Sequence, residues 1–156
     1  MNSTPRQEFI ENAAMYFDRL GMSRTAGRVM GWLPTSPEGD ADAPRLCAEI
    51  AVAKNSMSGA LRQLDRNGLI DRYRPARQRR DHYRLAEDVF ARAFRAKMAG
   101  FDEFRALAAQ GLLAVGDDPV SRRRLQRMAD MYEFMARGFP KLLDRWEREY
   151  PHRQPQ

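Results

Sequence analysis

Apolar positions recur at helical spacing through most of the chain, and one central stretch breaks that rhythm. Between Thr4 and Leu20, the residues Phe9, Ala13, Tyr16, Phe17 and Leu20 fall on one side of a helix, widened by Ile10 and Ala14. A hydroxyl cap at Thr4 and proline at the next position start this helix, and Gly21 ends it. Ser23 caps a second helix, Arg24 to about Leu33, in which Ala26, Gly27 and Gly31 permit close packing beside Val29, Met30 and Trp32. Trp32 reads as a core or subunit-contact side chain. The segment 34–43, PTSPEGDADA, is a loop by composition. Asp42 then caps a short helix, with Pro44 just inside it and Leu46, Cys47 and Ile50 as its apolar face, ending near Ala51.

From Val52 to Leu85 the period changes twice. Met57, Ala60, Leu61 and Leu64 keep helical spacing, and Asn67-Gly68 stands where a helix C-cap is expected. Leu69 to Arg74 is β-prone, Pro75 to Arg79 is an arginine-rich turn, and Arg80 to Leu85 alternates again. The order is helix, stop, strand, basic tip, strand. Two short helices with a tight junction, followed by a basic hairpin, are the plan of a winged helix-turn-helix.

Beyond the hairpin, Glu87-Asp88 puts negative charge at a helix start, as the helix dipole favours. This long helix continues to about Leu113, with Phe90, Phe94, Phe101, Phe104 and Ala108 as an apolar stripe and a bend expected at Gly100. Residues 115–119, VGDDP, break it. In the last helix, Val120 to about Tyr150, the positions Leu125, Met128, Tyr132, Met135, Phe139, Leu142 and Trp146 alternate steps of three and four, a heptad seam. Pro140 lacks an N–H for the carbonyl of Ala136, so a kink is expected around Gly138. The tail from His152 to Gln156 reads as frayed.

Charge sharpens this picture. Lys54, Arg62, Arg66, Arg72, Arg74, Arg77, Arg79, Arg80 and Arg84 stand against Asp65, Asp71 and Asp81, a balance of +6, and the whole chain of 156 residues is also +6. Everything outside the helix-plus-hairpin therefore balances to zero. A charge run is usually a solvated face, but confinement of the entire excess to this one unit reads as a nucleic-acid footprint. The single cysteine, Cys47, rules out an internal disulfide framework and reads as a small buried apolar residue. No catalytic constellation or metal cluster is visible, since His82 and His152 are far apart and lack partners, so neither an enzyme nor a cofactor is expected. The start MNSTPRQEF has no signal-peptide run and nothing reaches transmembrane length, so a cytoplasmic protein with no membrane partner is expected.

Residues 9–33 (FIENAAMYFDRLGMSRTAGRVMGWL), the core VAKNSMSGALRQLDRNGLIDR, the second wing strand RRDHYRL and the stretch YEFMARGFPKLLDRW together resemble the MarR family of bacterial winged-helix transcription regulators, and within it the GbsR-like branch. The resemblance spans roughly Phe9 to Trp146. It implies a homodimer whose first and last helices interlock, with two DNA-reading lobes below. The expected fold is mainly α with a small β-wing. Residues 1–22 form an N-terminal dimerisation helix, 23–86 the winged helix-turn-helix domain, 87–150 the C-terminal helices for dimerisation with room for an effector pocket, and 151–156 a flexible tail. Two departures stand out. The family usually begins the recognition helix with serine where this chain has Ala53, so the helix is expected to start at Asn55 or Ser56. An acidic residue often precedes the paired wing arginines, and here Gln78 does.

The expected function is a dimeric, sequence-specific transcription regulator, a repressor released by a small-molecule effector of unknown identity, binding double-stranded DNA at an inverted repeat. The alternative is a winged helix that docks proteins without specific DNA binding. Lys54, Asn55, Ser56, Ser58 and Arg62 are the candidates for base edges or phosphates in the major groove. Arg77, Arg79 and Arg80 suit the minor groove. Arg72, Arg74 and Arg84 read as strand-surface residues that pair with Asp71 or lie near phosphate, and Asp81 as a partner for one wing arginine. Phe9, Tyr16 and Phe17, with the seam from Leu125 to Trp146, are the candidate dimer interface. The GbsR-like branch includes sensing of quaternary ammonium compounds, for which an aromatic cage would be needed; Phe90, Phe94, Phe101, Tyr132 and Trp146 read first as dimer core.

Overall fold

In the computed structural model, which describes residues 3–151, local signals in the sequence account for most element boundaries. Helix α1 (Pro5–Arg19) starts in a capping box: Thr4 accepts from the Gln7 N–H, and the Gln7 side chain accepts from the Thr4 N–H. Ser23 caps α2 (Arg24–Trp32) through the Ala26 N–H. Between them Gly21 takes φ +81°, a turn that a side chain would strain. The small residues of α2 do what their size suggests. A Cβ on Gly27 would come within 2.6 Å of the Ala14 Cα, so the two backbones pack directly. Ile10 and Ala14 of α1 are buried against α2, whereas Phe9, Met15, Tyr16 and Leu20 are exposed. The apolar side of α1 is thus divided: one edge is sealed by α2 and the other is left open.

The stretch 34–43 holds more structure than a loop. Leu33–Thr35 forms a 3₁₀ turn, and Asp40–Asp42 forms a strand, β1. Its alternation is only three residues long, with Ala41 alone buried, and its partner lies about forty residues away along the chain, so nothing local announces it. Asp42 ends this strand and caps α3 (Ala43–Glu49), accepting from the Arg45 N–H at 3.0 Å. Leu46 and Ile50 are buried, but Cys47 is only half-buried, against the reading of it as a core residue. Helix α4 (Lys54–Arg66) begins directly after Ala53, not at Asn55 or Ser56, and no side chain caps it. Met57, Ala60, Leu61 and Leu64 form its buried face.

Strands β2 (Ile70–Tyr73) and β3 (His82–Leu85) pair antiparallel, and β1 adds to the other edge of β3, giving the order β1-β3-β2. Asp42 and Tyr73 both stand opposite His82. Trp32, Leu33, Leu46, Met57, Leu64 and Ile70 are the largest fully buried side chains, all in this first unit, which runs to Phe90.

The second unit starts at Ala91 and is built from α5 (Val89–Ala114) and α6 (Pro119–Glu149), joined by a break in which Asp118 caps α6 through the Ser121 N–H. The helices run antiparallel. Leu125 covers Gly111 near the turn, Phe104 stacks on Tyr132 with centroids 4.0 Å apart, and Phe101 lies 5.7 Å from Phe139. Arg95 Nη2 reaches Glu147 Oε1 at 2.6 Å near the far end. Three members of the heptad seam, Leu125, Tyr132 and Phe139, are therefore engaged by α5 of the same chain. Met128, Leu142 and Trp146 stay exposed, joined by Met131 and Phe134. The α5 stripe divides likewise: Phe101 and Phe104 pack, while Phe90 and Phe94 face outward. Helix α5 is unbroken at Gly100, and α6 continues through Gly138 and Pro140. His152 and the tail lie outside the described residues.

Candidate nucleic-acid interface

Burial of one face of α4 fixes what the other presents. With Met57, Ala60, Leu61 and Leu64 turned inward, Lys54, Asn55, Ser56, Ser58 and Arg62 are all exposed. Ala53 has the extended backbone of a cap residue, φ −68° and ψ 149°, but offers no oxygen to the first free N–H groups. The start of α4 therefore presents unsatisfied donors and the positive end of the helix dipole beside Lys54. A groove of about 660 Å³ runs along this face, lined by Lys54, Ser58 and Arg62 together with Pro44 and Cys47 of α3 and Tyr83 of β3. Cys47 belongs to that groove, which explains its partial exposure.

The wing divides its arginines into two classes. At the tip, the Gln78 N–H donates to the Pro75 carbonyl at 3.1 Å, and Arg77 sits at φ +63°, a left-handed conformation that L side chains rarely adopt. Arg77 and Arg79 are exposed and have no ion pair among the described residues. The others are tied down. Arg72 donates Nε and Nη2 to Asp81 Oδ2, and Arg74 holds Asp81 Oδ1 with Nε at 2.9 Å and Nη2 at 2.7 Å. Asp81 thus braces two arginines, not one, and neither belongs to the tip. Arg80 reaches Asp42 Oδ2 at 3.2 Å, and the Arg84 guanidinium lies 4.6 Å from the Tyr73 ring centroid.

A second cluster fastens β1 to the hairpin. The Tyr73 hydroxyl donates to Asp40 Oδ2, and His82 Nδ1 lies 3.0 Å from the same oxygen. These interactions hold the carboxyl of Asp40 below its ordinary range, chiefly through the Tyr73 hydroxyl and then through His82, and push the Tyr73 phenol up. Burial works to raise the Asp42 carboxyl, but the Arg45 N–H and Arg80 outweigh it and the net shift is down. Because Asp42 is both the end of β1 and the cap of α3, the wing is anchored to the first helix of the helix-turn-helix. Sequence reasoning missed this link because it missed β1; the polar–apolar–polar run of Asp40, Ala41 and Asp42 was the available signal. Among the described residues no group of three or more His, Cys, Asp or Glu side chains could hold a metal ion, and no helix is long and apolar enough to cross a membrane.

Comparisons with known proteins identify relatives of the chain. A family model for MmpR5-like MarR family transcriptional regulators matches residues 88–149. Over 140 residues the chain is 33% identical to the HTH-type transcriptional regulator MmpR5 of Mycobacterium tuberculosis, covering 89% of this chain and 85% of that one. A crystal structure of a transcriptional regulator superposes with a TM-score of 0.80 at 32% identity, covering 93% of this chain and 99% of the other.

Proposed function

Since the chain belongs to the MarR family of winged-helix transcriptional regulators, we propose that it is a dimeric repressor that holds an inverted-repeat DNA duplex in the bacterial cytoplasm. In this reading α4 enters the major groove, with Asn55, Ser56, Ser58 and Arg62 toward base edges and Lys54 with the free N–H groups toward phosphate. Arg77 and Arg79 at the wing tip reach the adjacent minor groove, and Arg80 lies at its edge. The observation that carries the proposal is the confinement of the whole +6 excess to Val52–Leu85, on side chains that the fold leaves exposed.

The dimer rests on apolar surface without cover in one chain. Phe9, Tyr16 and Leu20 on α1, and Met128, Leu142 and Trp146 on α6, are each more than a third exposed. Patches of this kind mark interfaces. A two-fold axis would cover both helices at once and set the reading helices about 34–36 Å apart, one turn of DNA. Release by a small molecule, and the finer placement in the GbsR-like branch with its quaternary ammonium effectors, rest on the resemblance of the quoted segments.

The test is a fluorescence anisotropy titration against a duplex selected in vitro and against one of its half-sites. The proposal expects binding at about 10⁻⁸ M or tighter to the full inverted repeat, two chains per duplex, and much weaker binding to the half. Absence of binding even at low salt would leave the winged helix as a protein-docking module.

A further inference from the structure

The wing carries an acid that works against its own charge, and its placement assigns it a role. Asp81 lies just before β3 with its side chain 18% exposed, while the guanidinium-bearing side chains it holds, Arg72 and Arg74, are 58% and 60% exposed. Each carboxylate oxygen takes one arginine through two nitrogens, and such charge-assisted pairs are the strong class of hydrogen bond. Arg72, in β2, and Arg74, just past its end, stand two residues apart on one arm of the hairpin, and Asp81 on the other arm holds both. The carboxylate sits beneath them and the cations face water. Its pKa is lowered, by the hydrogen bonds from Arg72 and then Arg74, so it is fully ionised at neutral pH. With Asp81 these two surface arginines thus present the field of one positive charge, and Arg72 also lines the groove beside α4. Arg77 and Arg79, which pair with no acid among the described residues, keep their full charge at the tip.

We infer that Asp81 is a specificity-determining residue: it suppresses sequence-independent attraction to the DNA backbone by occupying Arg72 and Arg74, and so leaves discrimination to α4 and the wing tip. The inference rests on the DNA-binding reading. Non-specific affinity is almost wholly electrostatic, and specificity is a difference of affinities, which is widened as effectively by weakening the wrong complex as by strengthening the right one. An aspartate that holds two cations back narrows the first term without touching the base-reading side chains.

The experiment measures the salt dependence of binding to a random-sequence duplex and to the selected inverted repeat, for the wild type, Asp81→Asn, Asp81→Glu and the Arg72→Gln/Arg74→Gln pair. Each arginine freed to meet a phosphate steepens the log–log slope by roughly 0.9. With two freed in Asp81→Asn, a four-fold fall in salt therefore tightens random-duplex binding about 12-fold more per lobe than it does for wild type. The inverted-repeat complex, whose register α4 and the wing tip already fix, gains less, so the ratio of specific to random affinity falls; an equal gain on both duplexes overturns the specificity role. Asp81→Glu keeps the wild-type slope. The arginine pair, which retains Asp81, flattens the slope by less than the roughly 0.9 of a single phosphate, because those arginines are not meeting phosphate in the native protein. This last variant decides the matter even if Asp81→Asn fails to fold. A slope unchanged or shallower in folded Asp81→Asn, or a flattening of about 1.8 per lobe in the arginine pair, overturns the inference and makes Asp81 a structural brace alone. Wild-type protein that binds neither duplex would instead refute the DNA-binding reading itself.

Discussion

Ala53 offers the sharpest perturbation of the reading helix. Its backbone already has the extended geometry of a cap, and its carbonyl already accepts the first helical hydrogen bond, from the Met57 N–H at 3.0 Å. Only the side-chain oxygen is missing. Thr4, Ser23, Asp42 and Asp118 supply one to the other helices whose starts are capped. Ala53 is exposed, so a hydroxyl or carboxylate meets no packed neighbour there. Ala53→Ser should therefore stabilise the protein by about 1 kcal/mol, the usual difference between serine and alanine at this position. For a chain of this length that raises the unfolding midpoint by about 2–4 °C. Ala53→Asp should gain a further ~0.3–1 kcal/mol from the helix dipole, yet bind DNA more weakly than Ala53→Ser, because the new charge stands where phosphate approaches. Thermal and urea unfolding at one fixed protomer concentration, with parallel DNA titrations, separate the two effects. Should Ala53→Ser leave stability within ~0.3 kcal/mol of wild type, well under the normal cap contribution, α4 does not lack a cap in the sense proposed. An Ala53→Asp protein that binds as tightly as Ala53→Ser would remove the helix start from the interface.

Three other perturbations probe other levels. Arg77→Ala with Arg79→Ala should flatten the salt dependence on every duplex, by roughly 0.9 in slope for each phosphate no longer neutralised; an unchanged slope would exclude the wing tip. Met135→Glu with Leu142→Glu, far along the chain from α4, should give monomer or aggregate by sedimentation and abolish inverted-repeat binding, and a dimer that binds normally would refute the assembly proposed. Asp40 has a folded pKa below its ordinary value of 3.8, so its contribution to stability is complete above that value and disappears as pH falls through the lower folded one. Asp40→Asn should accordingly be less stable than wild type at neutral pH and close on it below about pH 4; a constant gap across that window would deny the linkage.

Much of this architecture could be read before any coordinates, because helix caps and apolar spacing are local. The caps at Thr4, Ser23 and Asp42 followed from residue type, and so did the close packing at Gly27. What escaped depends on partners distant in the chain. Asp40–Asp42 becomes a strand only because β3 lies beside it, and without β1 the Arg80–Asp42 and Asp40–His82 pairs could not be placed. Asp81 was legible as a partner for an arginine, yet which ones it holds depends on the register of the hairpin. Likewise the periodicity of α6 marks an apolar seam but does not say that Leu125, Tyr132 and Phe139 are taken by α5. Ala53 shows a different limit: the absence of a capping residue argued for a later start, but the helix begins at Lys54 without one.

Dimethyl sulfate footprinting of the wild-type protein on its selected duplex bears hardest on the proposed binding mode, because guanine N7 reports the major groove and adenine N3 the minor groove. Two protected major-groove segments are expected, with centres about 10–10.5 base pairs apart, each flanked by a protected minor-groove patch where the wing tip lies. The Arg77→Ala/Arg79→Ala protein should leave the flanking patches open and keep the central pair covered. A single protected segment, or minor-groove protection that persists without those arginines, would contradict it.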